Sequence, residues 1–286
     1  MGNAKSAPKN KTGKSVVKLK TDTAYKTGVL SLCEHKLMEV PVKVFEITNL
    51  RVLDLSKNYL KKLPNRLNQL KTIKTLNLSD NKLIKGSLVP ISTMTNMQTL
   101  LLSNNRIGLE KDGEQKLVGP HLPTLSEKMK TVKLDGNSLT MIPRAIYAPT
   151  LTKLESLDLS RNQINIIPED FCKNLVSLTS LNLDHNLISS LPKEIGLLTK
   201  LKSLSIENNK IVVLRTNFDQ TYPQPLPSEL FKDTSLIDLS LKGNRMTNGQ
   251  LNEFDGFESF MERRRKIKNK NIHGGALLDT TVCGLE

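Results

Sequence analysis

Apolar residues return along this chain in a fixed frame. From Leu50 it reads LRVLDLSKNYL, and the phrase comes back as IKTLNLSDNKL from Ile73, MQTLLLSNNRI from Met97, MKTVKLDGNSL from Met129, LESLDLSRNQI from Leu154, LTSLNLDHNLI from Leu178, LKSLSIENNKI from Leu201 and LIDLSLKGNRM from Leu236. A degraded copy, TGVLSLCEHKL, precedes them. Inside each copy, leucines alternate with polar residues at the two-residue period of a strand with one face buried. Between copies, the asparagine near the end of the frame returns after 23, 24, 32, 25, 24, 23 and 35 residues. One short strand per interval, unable to bury its leucines alone, predicts a solenoid in which each turn of chain covers the next.

The repeated asparagines, Asn58 to Asn244, fall where the chain turns inward after the strand. A carboxamide there can serve both donors and acceptors of two neighbouring turns, which a buried irregular segment requires. His35 fills this slot in the degraded copy, as expected of an atypical terminal repeat. Many copies continue to an apolar residue and a proline, at Pro41, Pro64, Pro143, Pro168 and Pro192, where the chain should leave the strand for a short helical or irregular return. The two long intervals carry insertions, after Ile107 and after Leu214, whose Gly, Pro and charged residues predict loops. Leu251, Phe254, Phe257 and Met261 recur at helical spacing and predict a helix that seals the last repeat.

The frame L-x-x-L-x-L-x-x-N-x-L is that of the leucine-rich repeat. The fold expected is an α/β solenoid: an arc of about nine repeats with a parallel β-sheet on the concave face and a C-terminal capping helix. At ~4.8 Å per strand the sheet would run about 45 Å. The expected organisation is a flexible basic arm over 1–24, repeats over 25–250, a capping helix with a basic end over 251–271 and a disordered tail over 272–286. With its L-x-x-L-P pattern, the chain resembles intracellular leucine-rich-repeat proteins over residues 28–247. The MGN start, TAYKTGVLSLCEHKLMEVP from Thr23 and FDGFESFMERRRK from Phe254 extend the resemblance outside the repeat frame. It implies a non-enzymatic, peripherally membrane-attached protein, and it lapses in the two insertions and the final residues.

Composition narrows the function. There is no tryptophan, and no run of apolar residues approaches the ~20 of a membrane span. The N-terminus lacks the apolar core of a secretory signal, and the three cysteines are odd in number and widely spaced, so a cytoplasmic chain with reduced thiols is expected. The net charge of +14 is concentrated: residues 1–26 hold seven lysines against Asp22, and residues 261–271 hold six Lys and Arg against Glu262. The first six residues, MGNAKS, match the acceptor pattern for N-myristoylation at Gly2. A single myristoyl chain binds membranes only at about 10⁴ M⁻¹, so lasting attachment needs a second signal. Lys5, Lys9, Lys11, Lys14, Lys18 and Lys20 would supply it against an anionic leaflet, at about 1 kcal/mol per lysine. TGKS at Thr12–Ser15 is not a phosphate loop, because Pro8 stands where its first glycine belongs. The last four residues, CGLE, have the length of a prenylation box and the wrong final residue.

The outward strand positions form the expected binding face for a partner protein. One column holds Asp54, Asn77, Leu101, Lys133, Asp158, Asn182, Ser205 and Ser240; beside it run Ser56, Ser79, Ser103, Asp135, Ser160, Asp184, Glu207 and Lys242. Acids outnumber bases, which argues against nucleic acid in the concavity. No catalytic, cofactor or small-molecule site is expected, and Cys33 with His35 is too few ligands for structural zinc. The function expected is a myristoylated adaptor or scaffold held peripherally on the cytosolic side of a membrane. One alternative is a soluble regulatory subunit of a phosphatase or GTPase pathway. The other is a nuclear or RNA-associated protein that uses ERRRKIKNKN, a run with no aromatic residue to stack on bases.

Overall fold

The computed structural model describes residues 14–109, 122–213, 224–271 and 283–285. Nine parallel strands of three residues form one sheet in sequence order: β1 Val29–Ser31, β2 Val52–Asp54, β3 Thr75–Asn77, β4 Thr99–Leu101, β5 Thr131–Lys133, β6 Ser156–Asp158, β7 Ser180–Asn182, β8 Ser203–Ser205 and β9 Asp238–Ser240. The register never slips, so Leu30, Leu53, Leu76, Leu100, Val132, Leu157, Leu181, Leu204 and Leu239 stand side by side facing inward. They and the next inward residues, such as Leu55, Leu78 and Leu102, are essentially excluded from solvent. The core is a single column of aliphatic layers under the sheet, and the molecule is a leucine-rich-repeat arc.

Past each strand the chain must turn while buried, and the asparagines meet that need. The Nδ2 group of Asn162 donates to the carbonyls of Leu134, Leu159 and Ser160 at 2.9–3.0 Å, and its Oδ1 accepts from the amides of Asn137 and Leu139. Asn58, Asn81, Asn105, Asn137, Asn186, Asn209 and Asn244 do the same work, each bonding its own turn and the preceding one. In the first copy His35 cannot: its Nδ1 meets only the Cys33 carbonyl at 2.7 Å, and its buried Nε2 has no partner.

The prolines end the strand side. Pro41, Pro64, Pro143 and Pro192 each precede a single turn of 3₁₀ helix, and Pro168 and Pro227 precede the short helices α2 (Glu169–Asn174) and α3 (Ser228–Lys232). Both insertions fall mainly in residues 110–121 and 214–223, outside the described residues.

Both ends differ from the sequence expectation. The flexible arm expected over 1–24 does not hold for its second half, because α-helix α1 spans Lys14–Thr27. Val17, Thr21 and Ala24, at helical spacing, lie against the first repeat, with Thr21 and Ala24 nearly inaccessible. Gly28 ends α1 at a left-handed φ of +71°, and a Cβ there would lie 2.9 Å from the Asn49 carbonyl oxygen. The capping helix expected over 251–271 is instead two helices, α4 (Asn248–Asn252) and α5 (Phe257–Asn271). Gly256, at φ +84° and in close contact with Lys232, breaks them apart. Their inward residues are Leu251, Phe254, Phe257 and Phe260, with Met261 half-buried at the margin, gathered round Phe231 with ring centroids 5.5–6.3 Å away.

The tail also departs from expectation. Cys283 and Leu285 are buried, the Leu241 amide donates to the Cys283 carbonyl at 2.9 Å, and Asn248 Nδ2 donates to the Leu285 carbonyl at 2.7 Å. Leu78, Leu102 and Leu134 make the equivalent amide bond to the next strand, so the tail supplies β9 with part of a tenth rung. It thereby covers a sheet edge that would otherwise be open to pairing with another chain.

Asn162→Ala should lower the unfolding free energy by roughly 2–4 kcal/mol in chemical denaturation, because it strands several buried carbonyls and amides. Asn162→Asp should be no milder, since it sets a carboxylate against three carbonyl oxygens. Deleting residues 283–286 should give a smaller loss and a measurable tendency to self-associate.

Candidate functional site

The concave surface is assembled by the strand register. Asp54, Asn77, Leu101, Lys133, Asp158, Asn182, Ser205 and Ser240 align in one row, as their spacing requires. A third outward row was not foreseen from the sequence: Val52, Thr75, Thr99, Thr131, Ser156, Ser180, Ser203 and Asp238, two residues earlier in each strand than the first. The same two-residue alternation carried the signal for it.

Hydrogen bonds hold the outward polar residues in place along the arc. Asn77 and Asn182 each turn their Oδ1 onto the amide two residues on, at 3.1 and 3.0 Å. Asp54 does likewise to Ser56, at 2.9 Å, and these groups chiefly finish the strand. Farther along the arc lie four acids, Asp158 bonded like Asp54 at the end of its own strand and the other three bonded to neighbouring turns. Asp135 Oδ1 accepts from the Ser103 hydroxyl, Asp158 Oδ1 from the amide and hydroxyl of Ser160, and Asp184 Oδ1 from the Ser205 hydroxyl and the Glu207 amide. Glu207 Oε1 accepts from the Ser240 hydroxyl. In each of these four acids one oxygen is fixed and the other makes no hydrogen bond among the described residues. Four carboxylates on or just past β5–β8 are thus held in place by neutral donors. Leu101 and Lys133 adjoin them on β4 and β5, with Lys133 exposed.

Where the strand gives way to the turn, Glu34, Lys57, Asp80, Asn104, Arg161, His185 and Asn208 all adopt left-handed φ of 50–62°. Their side chains touch along the edge. Lys57 Nζ lies 2.7 Å from Glu34 and holds that carboxyl below its usual range, and Asn104 donates to Asp80 at 2.9 Å. These contacts are solvent-exposed and worth little to stability.

Of the residues assigned to the membrane, Gly2, Lys5, Lys9 and Lys11 lie outside the described residues, and Lys14 opens α1. Lys18 is exposed and Lys20 half-buried on that helix. At the other end, Arg263 of the basic run is turned inward, its guanidinium donating to the backbone carbonyls of Leu236 and Phe231. Among the described residues no helix is long and apolar enough to cross a membrane, and no cluster of His, Cys, Asp and Glu is arranged to hold a metal.

The fold and its asparagine turns define a leucine-rich-repeat protein, a class whose concave faces characteristically bind proteins or peptides. The family model for the leucine rich repeat matches residues 28–83 and 127–188. The chain is 31% identical to an adenylate cyclase of Podospora anserina over 133 residues, 46% of this chain and 6% of that enzyme. Among solved structures it is similar to a Leptospira interrogans leucine-rich-repeat protein, at 29% identity and a TM-score of 0.55, covering 84% of this chain and 58% of that one. It is also similar to a plant peptide hormone receptor, RGFR1, in complex with RGF2, at 25% identity and a TM-score of 0.50, covering 76% of this chain and 36% of the receptor. The chain therefore spans a small fraction of the cyclase and somewhat over half of the bacterial protein. What these share with it is the repeat, a binding architecture separate from the catalysis that the cyclase's name denotes.

The thiols differ in a way that can be measured. Burial pushes Cys172 and Cys283 each up to about 12, with Glu194 and Glu169 adding to the effect at Cys172. Cys33 is half-buried. In mildly alkaline buffer, alkylation followed by mass spectrometry should mark Cys33 first and Cys172 only on unfolding, because the thiolate is the reacting species. Protection of Cys283 reports the docked tail; labelling of Cys283 as fast as Cys33 would contradict that docking.

Proposed function

We propose that this chain is a membrane-tethered adaptor that presents its concave face to a partner protein. The observation that carries the reading is the set Asp135, Asp158, Asp184 and Glu207, spread over two adjoining columns, each with one oxygen fixed and the other without a hydrogen bond among the described residues. Such a set suits a protein segment rich in Lys, Arg or hydroxyl groups, with Leu101 providing an apolar contact beside it. The peptide-bound receptor among the structural relatives supports a polypeptide partner.

Tethering is the second half of the proposal. A myristoyl group on Gly2 and the lysines that follow would act together, since neither signal alone holds a protein to a bilayer. Helix α1 carries Lys14, Lys18, Lys20 and Lys26 and has no acidic residue in its first turn, against the preference of the helix dipole. Packing of Val17, Thr21 and Ala24 on the first repeat holds the helix, and of its lysines only Lys26, in the last turn, suits the dipole. The flanks TAYKTGVLSLCEHKLMEVP and FDGFESFMERRRK resemble those of leucine-rich repeat-containing protein 57, which supports a cytosolic, non-enzymatic placement. The nucleic-acid alternative is weakened because Arg263 is occupied as part of the C-terminal cap.

Intact mass of the protein from cells should show a tetradecanoyl adduct at Gly2, and Gly2→Ala should move the protein from the membrane to the supernatant on fractionation. Asp135→Asn, Asp158→Asn, Asp184→Asn and Glu207→Gln together keep an accepting oxygen at each position and remove the charge; they should leave the melting curve nearly unchanged and abolish retention of the proteins that the unaltered chain captures. A free or acetylated terminus on a wholly soluble protein would end the tethering half; unchanged retention would end the other.

A further inference from the structure

The repeats between the two basic ends are not evenly neutral. Residues 61–109 hold eight Lys and Arg against one carboxylate, Asp80. Four of these, Lys61, Lys62, Lys82 and Lys85, rim a single groove of about 890 Å³ on the flank of the first three repeats, past the asparagine turns. Met38, Tyr59 and Ile84 contribute its apolar lining, and Glu39 is the one carboxylate lining it among the described residues. Met38 is 76% exposed, the most of any large apolar side chain among the described residues, and Lys82 Nζ sits 4.9 Å from the Tyr59 ring centroid. No strand residue lines the groove, so an occupant leaves the concave face clear.

We propose that this groove is a second contact with anionic phospholipid, in which headgroup phosphates sit among the lysines while Met38 enters the interface. Two observations favour a bilayer over an acidic protein. An unbranched thioether standing proud of a lysine rim matches the amphipathic layering of a membrane surface, with apolar atoms leading and cations at headgroup level. The groove also lies at the end of the arc where α1 packs, and the thirteen residues before that helix reach at most about 45 Å when extended. The inference rests on the tethering reading to this extent: an acyl chain at Gly2 would hold the start of α1 within that distance of lipid, at the same end of the arc as the groove. The arm would supply attachment, and the groove would fix orientation.

The test uses the full chain carrying Gly2→Ala, so that acylation plays no part, in co-sedimentation with phosphatidylcholine vesicles with and without phosphatidylserine. Lys61→Ser, Lys62→Ser and Lys82→Ser together should weaken partition into the phosphatidylserine vesicles on the order of a hundredfold. The chain has no tryptophan, so Met38→Trp provides a single reporter. Its emission should shift to the blue on phosphatidylserine vesicles, whereas Leu197→Trp, on the convex side, should not respond. Equal partition of the triple variant and its parent, undetectable binding of the parent, or an unshifted Met38→Trp overturns the proposal. So does a shift produced by soluble polyglutamate and not by vesicles, which would assign the groove to an acidic protein. The mass of the mature N-terminus decides the acylation reading independently, so the two can fail separately.

Discussion

The carboxamide of the turn asparagine is the constraint on which the architecture depends. A solenoid of three-residue strands makes few ladder hydrogen bonds per turn, and its chain then bends inward through a region that water cannot reach. Without an internal partner, the carbonyls and amides of that bend would each cost about 1–3 kcal/mol. Asparagine answers with two donors and an acceptor on one short side chain, placed between two turns, so that each repeat is satisfied only when its neighbour is present. This ties local folding to stacking, and it accounts for cooperativity in a molecule whose turns touch only the turns beside them.

The same dependence makes the two ends special. The first turn has His35 where the others have asparagine, and a ring nitrogen there stays buried without a partner. Helix α1 closes that end by packing, in place of the missing bonds. At the far end the last strand has no following repeat, and three separate pieces act together: the cluster of Phe231, Phe254, Phe257 and Phe260, the Arg263 guanidinium on two backbone carbonyls, and Cys283–Leu285 on the open strand edge. Capping here is a matter of hydrogen bonds as much as of apolar cover.

The repeated body was legible in the sequence because two periods, alternate residues and the asparagine interval, agree in every copy from Leu50 onward. The concave row followed directly, since a strand's outward positions need no information beyond register. What the sequence concealed was contact between distant parts. Val17, Thr21 and Ala24 do form a helical stripe, but lysines surround it and its partner is the first repeat. Gly256 splits the C-terminal helix with a left-handed turn inside an apolar spacing that reads as continuous. The docking of Cys283 is set by an unpaired amide on Leu241 that only the folded sheet exposes. The flank groove was hidden for the same reason, because Met38, Tyr59 and Lys82 are about twenty residues apart and meet only when the turns stack.

Stacking also sorts the charges. Cations gather on the flank of the early repeats, beside α1, while the presented carboxylates lie on the concave side of β5–β8. At physiological salt, where the Debye length is about 8 Å, exposed charges farther apart than that are largely screened from one another, so surfaces on different repeats and different sides of the arc can act without neutralising each other. A chain with one net sign can therefore carry two recognition surfaces of opposite character. In the tethered reading, the basic flank turns toward lipid and the acidic concavity is left facing the cytosol, where a basic polypeptide would be drawn to it and away from competing lipid. The repeat architecture permits this separation because flank and concave residues occupy different positions of the same short frame, and either can vary without disturbing the leucines and asparagines that hold the turns together.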